Sequence, residues 1–255
     1  MSVDVPAQVI LVLLLGSARA AAWLVIAPPF SSSAVPGQIK ALLSVALALP
    51  LLGRSDLTLP STDTADVVTA LIWQILTGAA LGFLCYLIFA AVQTAGDLID
   101  VSGGFSLGFV YDPTLGSANA VMGRLYQMTA LALLLASGGY LIVLQGFLAS
   151  YKLVPLNGGL DIGSVSEAMT GATSGLLLAA AQIAGPILAV LFLADMGLGL
   201  LTRAAPALNA FSLGFPLKIL ITLVVVGAAL VTMPNIVNGL VGDVMTTFGH
   251  LMLRQ

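Results

Sequence analysis

Charge is scarce in this chain. Of 255 residues, 8 are Lys or Arg and 11 are Asp or Glu, which together make 7% of the sequence. A soluble domain carries about 25% charged residues, and a water-facing surface of this size cannot be coated with so few. This excludes a soluble globular enzyme, a nucleic-acid binder with a basic groove, and a charged disordered chain. Cysteine and histidine are each present once, as Cys85 and His250. One cysteine excludes an internal disulfide and a thiolate metal cluster. One histidine, five residues from the C-terminus, excludes a multi-histidine metal site within the chain. The first eight residues contain no Lys or Arg. The cleavable secretory signal suggested by the apolar run Val9–Leu15 and by Ala18-Arg19-Ala20 therefore lacks its basic start. Apolar character resumes at once, so Val9–Ala27 is expected to be a retained first helix.

What the chain has in abundance is apolar residues, at 59%, with a mean hydropathy of +1.11. A bilayer-spanning helix needs about 20 such residues. The sequence predicts an all-α, integral membrane-type protein with six long hydrophobic helices, near residues 9–27, 39–52, 67–95, 121–148, 165–201 and 207–247, within one domain covering 1–255. The core of the last is Phe211–Val231. The lengths are uneven. The second is short for a span, and the third, at about 43 Å, exceeds a hydrocarbon core of about 30 Å. Some helices are therefore expected to pack against other protein. Gly185-Pro186 is expected to break the fifth helix, and Ser164-Val-Ser-Glu167 reads as the capping box at its start. Charge gives no orientation: Arg54, Lys152 and Arg254 fall on one side, Lys40, Arg124, Arg203 and Lys218 on the other.

Three segments carry chemistry. Residues 96–119 are the least lipid-like stretch and are expected to form a loop. Asp97 and Asp100 are placed to share a helix face. Gly103, Gly104 and Gly108 loosen a backbone that also carries Phe105, Phe109 and Tyr111, and Asp112-Pro113 is a turn former. Such a backbone at membrane depth belongs inside protein or against a water-filled cavity, as in a re-entrant or pore-occluding element; an ordinary connecting loop is the plain alternative. Asp195 lies deep in an apolar helix and needs a partner or water; pairing with a Lys or Arg on another helix or subunit, and simple solvation, both stay open. Arg19, likewise in an apolar helix, must snorkel, meet a carboxylate or face water. Residues 202–220 form a turn between two helices, with Arg203 near the end of the first, Asn209 in the turn and Lys218 just inside the second.

The segments Arg19…Ala27-Pro-Pro-Phe…Val35-Pro, Gly104-Phe-Ser-Leu-Gly…Tyr-Asp-Pro113, and Asp195-Met-Gly-Leu-Gly-Leu-Leu-Thr-Arg203 running on to Gly214-Phe-Pro-Leu-Lys218 resemble the FliR family of flagellar export-gate proteins. The T-components of virulence type III secretion gates belong to the same family. The resemblance covers nearly the whole chain. It departs at Gly139-Tyr140, where the family often has Gly-His, and at Pro206-Ala-Leu-Asn209, where it often has Pro-Gln-Met-Asn.

The resemblance implies a non-enzymatic subunit of a hetero-oligomeric export gate, built of bent helical hairpins, in the bacterial inner membrane at the flagellar basal body. It implies FliP-like and FliQ-like partners, FlhB-like and FlhA-like components nearby, membrane lipid around the gate, and unfolded secreted proteins in transit. It implies no cofactor, no metal, no catalytic residue and no nucleic acid. Carried onto this chain, the plug of the closed gate is Gly103–Asn119, with Gly103, Gly104, Phe105, Gly108, Phe109, Tyr111, Asp112 and Pro113. Arg19, Asp97, Asp100, Arg124, Asp195, Arg203, Asn209 and Lys218 are then structural or inter-subunit polar groups. No nucleotide-binding loop occurs in the sequence. A virulence-gate subunit is the nearest alternative. A secondary transporter with a site near Pro186 and Asp195 is another, but it predicts two related halves, and 1–125 and 126–255 show no such relation. An intramembrane hydrolase would need a buried catalytic pair, for which there is no motif.

Overall fold

A computed structural model describes residues 7–32, 35–54, 57–105, 120–204 and 210–253. Every element among them is helical: α1 (Ala7–Ile26), α2 (Gly37–Ala48) with a 3-10 turn at Leu49–Gly53, α3 (Thr64–Gly103), α4 (Val121–Ala136), α5 (Gly139–Leu153), α6 (Ile162–Ala204), α7 (Ala210–Ala229), a 3-10 turn at Leu230–Thr232, and α8 (Met233–Leu253). Among the described residues four stretches are long and apolar enough to cross a membrane, namely α1, α3, α6 and Gly214–Leu251, and there are five when α4 and α5 count as one broken span. The all-α membrane-type class expected from composition is the class observed.

Several boundaries differ from the expected ones, each for a local reason. Helix α3 does not stop at residue 95 but runs on to Gly103, so 96–103 is helix and not loop. Its glycines are packing positions: a Cβ on Gly96 would lie 2.6 Å from Gly123 Cα, which only a glycine in a regular helix accommodates. The helix ends where Gly104 adopts φ +86°, the left-handed conformation that terminates helices at glycine. The expected helix 121–148 is two helices, because Gly138 adopts φ +72° and the Ser137 hydroxyl accepts the Gly139 N–H at 3.3 Å. The expected helix 207–247 is likewise divided by the 3-10 turn at Leu230–Thr232; Pro234 lacks the N–H that would continue the ladder and instead sits in the first turn of α8. Conversely, Pro186 does not break α6, which remains one helix of 43 residues. That helix begins at Ile162, and its cap is Asp161, not the Ser164–Glu167 box. The Asp161 carboxylate accepts the Ser164 N–H at 2.8 Å and the Ser164 hydroxyl at 3.0 Å. These bonds, the backbone one foremost, hold the Asp161 carboxyl below the usual carboxylate range.

The chain divides into two compact units, Met1–Ile88 with Ser137–Thr173 and Leu240–Gln255, and Phe89–Ala136 with Ser174–Gly239. In the first, Gly78 and Gly82 form a small-xxx-small face on α3 against α1. A Cβ on Gly78 would collide with the Arg19 carbonyl oxygen, and one on Gly82 would lie 3.1 Å from the Trp23 carbonyl oxygen. Trp23, fully buried, stacks on Phe147 with ring centroids 4.5 Å apart, and Phe147 meets Tyr151 edge-on at 5.4 Å. Cys85 is fully buried here as a packed side chain. In the second unit, α3 meets α4 at Gly96 and Gly123, and a Cβ on Gly103 would lie 2.8 Å from the Thr222 hydroxyl oxygen.

Candidate functional site

Polar groups concentrate at three places, two of them joining helix ends. In the first unit, Arg19 projects from the middle of α1 and is fully buried. Its Nε donates to Gln74 Oε1 at 2.6 Å; Nη1 donates to the Ser150 carbonyl at 3.0 Å and hydroxyl at 3.3 Å; Nη2 donates to the carbonyls of Val154 at 3.0 Å and Pro155 at 3.4 Å. The guanidinium also lies over the Tyr151 ring, 4.7 Å from its centroid. Arg19 therefore neither snorkels, nor faces water, nor meets a carboxylate. It caps the C-terminal end of α5, where the orphan carbonyls and the helix dipole favour a cation. Gln74, on α3, completes the node: its Nε2 donates to the carbonyls of Leu156 at 3.1 Å and Gly158 at 2.9 Å. The Tyr151 hydroxyl donates to the Gly16 carbonyl at 2.7 Å, tying α5 back to α1. Sequence reasoning missed Gln74, Ser150 and Tyr151. A glutamine inside a long apolar helix was the available signal.

The second place is the start of α4. Asp100, buried on α3, accepts the Met122 N–H at 3.0 Å and the Gly123 N–H at 3.1 Å. A carboxylate from one helix thus caps the N-terminus of another. Asp97 shares that face of α3, as expected from the spacing, and its Oδ1 is buried without a hydrogen-bond partner among the described residues. It lies against Gly123, where a Cβ would strike the Asp97 carboxylate. The glycine at residue 123 is what lets the Asp97 carboxylate approach the helix end.

The third place is an ion pair between α6 and α7. Lys218 Nζ lies 2.7 Å from Asp195 Oδ1 and 2.8 Å from Oδ2, with Asp195 half exposed and Lys218 mostly covered. Of the two readings left open for Asp195, pairing on a neighbouring helix is the arrangement present.

The remaining expected site residues are placed as follows. Gly103 is the last, buried residue of α3, and Gly104 and Phe105 follow it half-buried. Gly108, Phe109, Tyr111, Asp112 and Pro113 lie outside the described residues, as does Asn209. Arg124 is exposed in the first turn of α4, and Arg203 is exposed in the last turn of α6. The first unit also holds a cavity of about 530 Å³ lined by residues that include Trp73, Leu76, Thr77, Phe83, Leu160 and Met169; no lining side chain is charged.

Comparison with known proteins agrees with the resemblance. Residues 10–244 match the family described as bacterial export proteins, family 1. The chain is 32% identical over 205 residues to the flagellar biosynthetic protein FliR of Escherichia coli (strain K12), covering 79% of this chain and 77% of that one. It is 28% identical over 230 residues to FliR of Pectobacterium carotovorum subsp. carotovorum, covering 89% and 87%. It is also 32% identical over 149 residues to the Yop proteins translocation protein T of Yersinia pestis, covering 57% and 56%. The chain belongs to family 1 of the bacterial export proteins, the family of FliR and of the type III export T-components.

Proposed function

We propose that this chain is a channel-forming subunit of a flagellar type III protein export gate, helping to pass unfolded flagellar subunits across the bacterial inner membrane. One observation carries the reading. Helices α3 and α6 have 40 and 43 residues, about 60–65 Å each at 1.5 Å per residue, roughly twice the hydrocarbon core. Yet only 22% of the apolar window of α6, and 17% of that of Gly214–Leu251, is buried within the chain. A straight helix of that length outruns the hydrocarbon core, so part of its length calls for the surface of other proteins. FliP-like and FliQ-like subunits are the partners this reading supplies, with FlhB-like and FlhA-like components beside them. The basal body of the flagellum is then its place.

Within the gate, the segment after Gly104 is the plug. The Asp100 clamp on α4 fixes the end of α3 from which that segment departs, and the left-handed Gly104 turns the chain out of the helix. The role is structural, with no catalytic step. The flagellar system is preferred to a virulence system because the Escherichia coli FliR match combines 32% identity with 79% of the chain, whereas the translocation protein T match is 32% over 57% and that of SpaR of Shigella flexneri 28% over 74%. Deletion of residues 104–117 tests the channel. The assembled gate is expected to persist but to leak small ions or solutes across the inner membrane. An intact permeability barrier with the gate still assembled would count against the plug.

A further inference from the structure

The cavity in the first unit is a site that the gate reading leaves unused. All of its lining residues belong to that unit: Ile26 at the end of α1, Trp73 to Phe83 on α3, and Leu160 to Met169 at the start of α6. The wall is hydrocarbon and aromatic ring, with no charged side chain. Beside the Trp73 indole, Thr77 is the one lining side chain with a hydrogen-bonding group, and its hydroxyl oxygen is buried. A molecule in the cavity therefore meets almost no polar surface, and water would find too few partners to fill it. Packed interiors hold few voids larger than one water molecule. A space of about 530 Å³ lined in this way is a receptor for something apolar.

Its dimensions select the occupant. From Trp73 to Phe83 the wall runs about 15 Å at 1.5 Å per residue. That is half of a hydrocarbon core of about 30 Å, the depth that one lipid chain of one leaflet covers. A helix of a neighbouring subunit is too thick. With its side chains it is about 10–12 Å across, so 15 Å of it would take roughly 1,200 Å³, about twice the cavity. The cavity also meets the surface on a membrane span. Leu76 and Phe83, in its wall, are 52% and 37% exposed, beside the outward-facing Ile72 and Ile75 of α3. A thin, flexible, apolar chain can enter there from the side. We propose that this cavity holds one acyl chain of a membrane lipid. With no charge in its wall, it selects by the chain and leaves the headgroup outside. The site goes beyond the gate reading and stands without it.

The test uses the full chain, purified from native membranes with whatever subunits accompany it. A photo-crosslinking residue replaces Met169 in the cavity wall or, as a control, Ile72 on the exposed surface of α3 outside it. Each protein is washed extensively in lipid-free detergent and then irradiated, and the mass of the chain is measured. The residue at 169 should carry the added mass of one membrane lipid about tenfold more often than the residue at 72, since a ligand enclosed in a pocket survives washing that strips the surface. Ala79→Phe, in the same wall, fills the cavity and should abolish the adduct at 169. Val165→Phe, also in the wall, takes its place if that variant fails to accumulate. Equal lipid adducts at 169 and 72 would overturn the inference, as would an adduct at 169 that survives filling of the cavity. Crosslinks from 169 to another subunit alone would overturn it too, by showing that protein side chains occupy the space. The gate reading is judged separately, by whether the parent chain restores export to a strain lacking it.

Discussion

The Arg19 guanidinium closes the C-terminal end of α5 on the Ser150 carbonyl at 3.0 Å, across 131 residues of sequence. Among the described residues no carboxylate meets it; it uses dipoles, the carbonyls of Ser150, Val154 and Pro155 and the side chain of Gln74. Replacing Arg19 by Ala removes the donor to the Val154 carbonyl and to the Gln74 side-chain oxygen, both in the buried node. With each unsatisfied buried group costing about 1–3 kcal/mol, the assembled complex should melt well below the parent. Arg19→Lys keeps the charge but reaches fewer acceptors, so it should fall between the two. Thermal melting of the purified complex in detergent distinguishes these outcomes. Equal midpoints for all three proteins would show that the node carries no stability.

Gly123 is held to glycine by Asp97. Gly123→Ala alone should destabilise the α3–α4 junction, since the new methyl strikes the Asp97 carboxylate. Asp97→Ala in the same chain should recover much of the loss. A double-mutant cycle read by accumulation in membranes checks this, and additive effects would contradict the contact. Asp100→Ala should cost about 1–2 kcal/mol through loss of the α4 cap, with no rescue from Asp97→Ala.

How far these contacts were legible in the sequence depends on their range. The spacing of Asp97 and Asp100 placed them on one face of a helix, and Asp195 in an apolar run demanded a partner. Both follow from local chemistry. The Arg19 node did not follow, because its partners lie 55 to 136 residues away and are mostly carbonyls, which every residue possesses. The glycines misled in both directions. Gly103 reads in the sequence as loosening a loop, yet it sits, like Gly96, inside α3 where neighbouring atoms leave no room for a Cβ. Gly138-Gly139, inside an apolar run, marks a true break through the positive φ of Gly138. Only the packing partner separates the two uses. The plug residues Gly108 to Pro113 lie outside the described residues, and their assignment rests on resemblance.

The Asp195–Lys218 pair is half in water, so its contribution should be small. Exposed ion pairs contribute about 0–1 kcal/mol. Asp195→Leu is therefore expected to lower the midpoint of the complex only slightly. The exchanged pair Asp195→Lys with Lys218→Asp should restore it. A large loss that the exchange does not repair would mean that Asp195 also serves a neighbouring subunit.

The cap of α6 is sensitive to acid. The Asp161 carboxyl is lowered in the folded chain by its bonds from Ser164. Its contribution is thus present in full above the ordinary carboxylate pKa of about 3.9, and it is lost as pH falls through the lower folded value. Hydrogen exchange at the Ser164 amide, corrected for intrinsic rates, should quicken over that acid range. Asp161→Ala should show fast exchange with no such step. A step that persists in Asp161→Ala would assign the titration to another group.

The central claim is that this chain works as one part of a multi-subunit export gate. It is tested most directly by purifying the tagged chain from native membranes in mild detergent and identifying what accompanies it by mass spectrometry. Recovery of FliP-like and FliQ-like proteins in a fixed ratio is the predicted result. A homogeneous chain, stable with no partner bound, would contradict the account and favour a transporter with a site near Pro186 and Asp195.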